Sequence, residues 1–130
     1  MRDPHPGAVW SRRRIKRRVA YGCWMASDQW LQVRRRWQEE WTARHGQHPR
    51  CAVCYAPWCL FGGDLHHRSY RHLGQERFED LVACCRGCHE RIHAVMEAHP
   101  MWRRMERAVA SDMIIAVLAK TTRRAEGSRR

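Results

Sequence analysis

Leu65-His66-His67-Arg68-Ser69-Tyr70, followed by Asp80-Leu81-Val82-Ala83-Cys84-Cys85-Arg86-Gly87-Cys88-His89-Glu90-Arg91-Ile92-His93, is the stretch whose reading decides the fold. His89 and His93 lie four apart, so on a helix both imidazoles project from one face, a spacing suited to gripping a metal. That helix is expected to start near Cys88 and to run through Glu90, Ile92, Val95 and Met96 until Pro100. His66 and His67 are adjacent, and in an extended segment they point to opposite sides. One can bind a metal while the other faces a substrate.

Two cysteine hooks frame these histidines. Cys51 and Cys54 form one C-x2-C pair, and Cys85 and Cys88 form the second. Four thiolates suit a tetrahedral zinc ion, which small domains use in place of a large core. Four thiolates leave no open position for substrate, so this zinc is expected to be structural. Cys84 and Cys59 compete on position alone, but the turn of a C-x2-C knuckle favours Cys85 over Cys84. Spacing identifies no partner for Cys23. Seven cysteines in 130 residues also suit a disulfide framework. The odd number, the paired hooks and the absence of an export signal favour metal ligation.

Outward from this centre, about residues 50–99, the chain predicts one helix on each side. Upstream, Ser27 can cap a helix over about 27–45 carrying Trp30, Val33, Trp37 and Trp41 at helical spacing, with Gly46 and Pro49 ending it. The stripe reads as core, bracing the zinc domain. Downstream, Trp102, Met105, Val109, Met113, Ala116 and Val117 mark a helix over about 101–119 that covers the core or forms a homodimer contact. Residues 1–26 read as a flexible basic arm and 121–130 as a frayed basic tail. One domain, 27–120, is the expectation for this length.

The chain carries 25 basic against 13 acidic residues, a formal charge of +12, and every basic side chain except Lys16 and Lys120 is arginine. Such a surface favours polyanions, and guanidinium forks match phosphate oxygens. A high-GC genome also enriches arginine, so charge alone does not prove binding. DNA is the expected partner, with Arg12, Arg13, Arg14, Lys16, Arg17 and Arg18 in the arm and Arg68, Arg71 and Arg91 near the histidines as phosphate contacts. No apolar run is long enough for a membrane span, and the start lacks a signal-peptide core, so a cytoplasmic location without membrane partners is expected.

The order His66-His67-x2-Tyr70-x3-Gly74-x-Glu76-x3-Asp80-Leu81-x3-Cys85-x2-Cys88-His89-x3-His93, preceded by Cys51-x2-Cys54, resembles the HNH endonucleases, in particular the standalone bacterial and phage type. The resemblance covers roughly residues 50–95. It implies a small α+β fold, a ββα-metal core stapled by zinc and flanked by N- and C-terminal helices. It further implies that His66, His89 and His93 hold one catalytic divalent ion and that His67 is the general base. Asp80 falls where that family usually has asparagine, a position that fixes the loop and orients the base. A carboxylate can accept the same backbone bonds, or bind metal and change the ligand count.

The residue types suit phosphodiester hydrolysis independently. An imidazole titrates near neutrality and serves as a base, and a divalent ion can neutralise the phosphate. Imidazole ligands accommodate zinc, nickel or manganese as well as magnesium. Two other classes carry the same features: a zinc-dependent DNA-binding module without catalysis, and a nuclease subunit active only with a protein partner in a phage packaging or restriction complex. The four histidines favour the nuclease, because a pure binding module has no need of them.

Overall fold

The computed structural model describes residues 21–128. Its first long element follows from the tryptophan spacing. Helix α1 (Asp28–His45) buries Trp30, Val33 and Trp37 on one face. Ser27 caps it, its Oγ accepting from the Trp30 N–H at 3.2 Å. Gly46 ends it in a left-handed conformation (φ 69°), donating its N–H to the Thr42 carbonyl at 2.8 Å. Glycine adopts that geometry without the Cβ penalty other residues meet.

Strands β1 (Asp64–His67) and β2 (Leu81–Cys84) pair antiparallel, with Asp64 opposite Cys84 and His67 opposite Leu81. Strand alternation puts Leu65 and His67 on one face and Asp64 and His66 on the other. Leu65, Leu81 and Ala83 join Trp30, Val33, Trp37, Trp58 and Leu60 in a first core cluster against α1. On the other side, helix α2 (Arg86–Ala98) and the C-terminal helix supply Cys88, Ile92, Met96 and Ile114 to a second cluster with Cys51, Val53 and Cys84. Both clusters are small, as expected of a chain this short.

The loop leading into β1 is held at many points. Trp58 donates its indole N–H to the Asp64 carbonyl at 2.8 Å, and the Arg34 guanidinium bonds the carbonyls of Leu60 and Gly63. A Cβ on Gly63 would lie 2.1 Å from the Trp58 ring, so only glycine allows this approach.

Past Pro100 the chain forms a short helix α3 (Pro100–Arg104), breaks at Met105, and continues as α4 (Arg107–Ser128). Three expectations are revised here. The buried face of α4 is Ala110, Ser111, Ile114 and Ala119, while Val109, Met113 and Val117 are exposed. Apolar residues occur on both faces, so periodicity alone does not choose; contact with α2 and β1 does. The helix also runs on through most of the expected tail, where Ala, Arg and Glu are strong helix formers. Residues 21–25 are helical rather than an open arm, because Trp24 and Met25 pack on the first cluster. Arg12, Arg13, Arg14, Lys16, Arg17 and Arg18 lie outside the described residues. No helix among the described residues is long and apolar enough to cross a membrane.

The whole is a small α+β unit: a two-stranded antiparallel sheet with helices before and after it, and a four-cysteine cluster that could hold a structural metal.

Candidate metal centres

The cysteine cluster forms where two tight turns face each other. The Cys54 N–H points at the Cys51 sulfur at 3.5 Å, and the Cys88 N–H at the Cys85 sulfur at 3.4 Å. Cys85 is also the N-cap of α2. Ligand atoms of Cys51, Cys54, Cys85 and Cys88 all lie within 4.8 Å of one another, and the Cys54 and Cys85 sulfurs are 3.9 Å apart. Sulfurs about 2.3 Å from a central zinc ion sit roughly 3.8 Å apart in a tetrahedron. The donor set and its spacing therefore fit zinc. Cys84 is fully buried with its sulfur toward the Asp64 carbonyl, and Cys59 and Cys23 are exposed, so none of the three belongs to the cluster. Burial raises the Cys84 thiol well above its ordinary range. Burial also acts to raise the Cys51 thiol, but the N–H groups of Cys54, Cys85 and Val53 outweigh it and leave Cys51 lowered. A lowered thiol is the more ready metal ligand.

A second cluster gathers His66 from β1 with His89 and His93 from α2, their ligand atoms again within 4.8 Å of one another. The Nε2 atoms of His89 and His93 are 3.0 Å apart, and the His66 ring lies 5.4 Å from each of the other two. Asp64 holds the far nitrogen of His89, with Oδ2 3.0 Å from Nδ1. Ser111 of α4 holds His66, its Oγ 2.9 Å from Nε2, while the buried His66 Nδ1 has no hydrogen-bond partner. Carboxylates and hydroxyls behind imidazoles are what metal-binding histidines use to fix their rings. An orphaned buried imidazole nitrogen beside two converging ones fits a divalent ion. His66 is held neutral, at about 2, by burial first and then by Arg107 and the neighbouring histidines.

His67 faces the other way. It stacks on Trp30 at 5.1 Å and on Tyr70 at 5.2 Å, and Tyr21 meets it edge-on at 6.2 Å. Burial, then the Arg107 charge, depresses it to about 3, and its buried Nε2 has no hydrogen-bond partner. Arg107 fastens this end of the sheet: its Nε donates to the His67 carbonyl at 2.9 Å and a terminal nitrogen donates to the Tyr70 hydroxyl at 3.1 Å.

Asp80 is not part of either cluster. Its Oδ2 accepts from the Arg77 N–H and faces His72 Nδ1, both at 2.9 Å, and its carbonyl accepts from the Arg68 N–H at 2.7 Å. It ties the 68–80 loop shut directly behind His67. Arg68 is occupied too, its guanidinium paired with both Asp112 oxygens at 2.7 Å. Arg71 is exposed; Arg91 is exposed and reaches Thr122 on α4.

Sequence reasoning missed Asp64, Ser111 and Arg107. Asp64 had a usable signal, since it lies two residues before His66 on the same strand face. Ser111 and Arg107 had none, because only the packing of α4 brings them in. Comparison of the chain with family models, curated proteins and solved structures found no match.

Proposed function

We propose that this chain is a metal-dependent DNA endonuclease of the HNH type. The observation that carries the proposal is the convergence of His66, His89 and His93, backed by Asp64 and Ser111, with His67 on the adjoining strand position. A structural zinc site explains the cysteines but not these histidines. In this reading His66, His89 and His93 hold one divalent ion. The chemistry such an ion supplies is charge neutralisation on the scissile phosphate and stabilisation of the leaving 3′-oxygen.

The remaining work falls to the chain's own groups. His67 is neutral at physiological pH, and its unpartnered Nε2 has a lone pair or an N–H to offer. As general base, the tautomer with its lone pair at Nε2 takes the proton of the attacking water. A ring held at about 3 by burial is too weak for this, so the step needs the ring to regain water and return toward its ordinary basicity when substrate enters. Trp30 and Tyr70 hold the ring plane, and Asp80 holds the loop that follows it. His67 is only 3% exposed, so its base role requires the Tyr21 side of its cover to yield when substrate enters. The excess positive charge supplies the long-range attraction to DNA.

Metal titration of the zinc-loaded chain tests the site. A second divalent equivalent should bind to wild type and be lost in His93→Ala, together with metal-dependent DNA cleavage. Cleavage that survives His93→Ala at unchanged metal content would overturn the assignment.

A further inference from the structure

We propose that the groove between the Phe61 loop and α2 is a nucleobase slot that takes an unpaired base next to the cleaved phosphate. The inference rests on the endonuclease reading, and it adds a feature of the DNA that the protein selects. The groove has a volume of about 280 Å³, with Trp30 and Leu65 among its apolar lining and Phe61 at its rim. Asp64, His89 and Arg86 also line it, so it borders the histidine cluster at one member, His89, and at the Asp64 that holds that ring. Pockets for whole small molecules run from roughly 300 to 1,000 Å³. This one lies at the low end of that range and has room for a single flat ring.

Phe61 is the unusual residue. It is 83% exposed, the most exposed large apolar side chain among the described residues, yet it sits on a loop that is firmly held. Arg34 bonds the carbonyls on either side of it, at Leu60 and Gly63, and Gly63 is locked against Trp58. A rigid exposed ring has no packing role in this chain, and stacking on a base is what such rings do in nucleic-acid channels. Arg86, exposed in the first turn of α2, places a guanidinium at the same groove for the attached phosphate. The apolar lining, aromatic rim and cationic Arg86 thus match a base with its phosphate, with His89 of the histidine cluster in the same lining.

The test compares two fluorescein-labelled duplexes, one fully paired and one with a single unpaired nucleotide. Fluorescence anisotropy reads both affinities for the zinc-loaded full chain, without further divalent cation. Wild type should prefer the duplex with the unpaired base. Phe61→Ala should cut the ratio of the two affinities about tenfold, and Phe61→Tyr should restore it. Equal affinities in wild type, or an unchanged ratio in Phe61→Ala, would overturn the slot. If wild type cleaves DNA yet shows no preference, only this inference fails; if it binds neither duplex, the endonuclease reading fails with it.

Discussion

Replacing Cys85 by serine separates the metal-staple account from one in which the cysteines are merely buried. Cys85 contributes to a cluster whose sulfurs are already at zinc-ligand spacing, while Cys84, its neighbour, points to the Asp64 carbonyl instead. Holding structural zinc is worth about 10–16 kcal/mol in small zinc peptides. The net stability of a whole domain is about 5–15 kcal/mol. Losing even part of the first figure therefore rivals the second. Cys85→Ser is expected to hold about one zinc per chain fewer than wild type and to lose its cooperative thermal transition. Cys84→Ser should keep its zinc and lose about 1–3 kcal/mol from burying a hydroxyl without a good partner. Cys59→Ser, at an exposed position, should stay within about 0.5 kcal/mol of wild type. Atomic emission gives the zinc content and calorimetry the stability. Full zinc occupancy in Cys85→Ser, or zinc loss in Cys84→Ser, would refute the reasoning.

Asp64→Asn should weaken cobalt binding at the histidine cluster about 10–100-fold, because the carboxylate fixes the His89 ring; an unchanged titration of the zinc-loaded chain would remove Asp64 from that role. Ile92→Ala, at a fully buried position between α2 and α4, should cost about 2–5 kcal/mol in denaturant unfolding. A loss under about 1 kcal/mol would contradict the packing of that cluster. His66 and His67 are depressed to about 2 and about 3 from 6.5, so below pH 6.5 the unfolded chain binds more protons than the folded one. Stability present above pH 6.5 is therefore lost as pH falls toward 3, and a flat unfolding midpoint across that window would argue against their burial.

What could be read in the sequence was what local spacing encodes. The C-x2-C hooks form in consecutive residues, so the four-cysteine cluster was legible, including Cys85 over Cys84. The i, i+4 step from His89 to His93 and the alternation at His66 and His67 likewise need no tertiary information. The α4 contact was not legible. Val109, Met113 and Val117 repeat as regularly as Ala110, Ile114 and Leu118, and only docking on α2 shows which stripe is buried. Ser111 and Arg107 were invisible for the same reason, reaching His66 and His67 across more than forty residues or nearly so. Arg68 shows the same limit: that Asp112, forty-four residues on, holds its guanidinium could not be read from local spacing.

The most direct test of the central claim is relaxation of supercoiled plasmid by the purified chain, run across magnesium, manganese, nickel and zinc with wild type and His67→Ala in parallel. The account predicts that wild type converts the plasmid with at least one of these ions, that chelation stops it, and that His67→Ala still binds DNA but cuts at least 100-fold more slowly, on the order expected for loss of a general base. Equal cutting by His67→Ala, or no cutting by a folded, metal-loaded wild type that binds DNA, would contradict it.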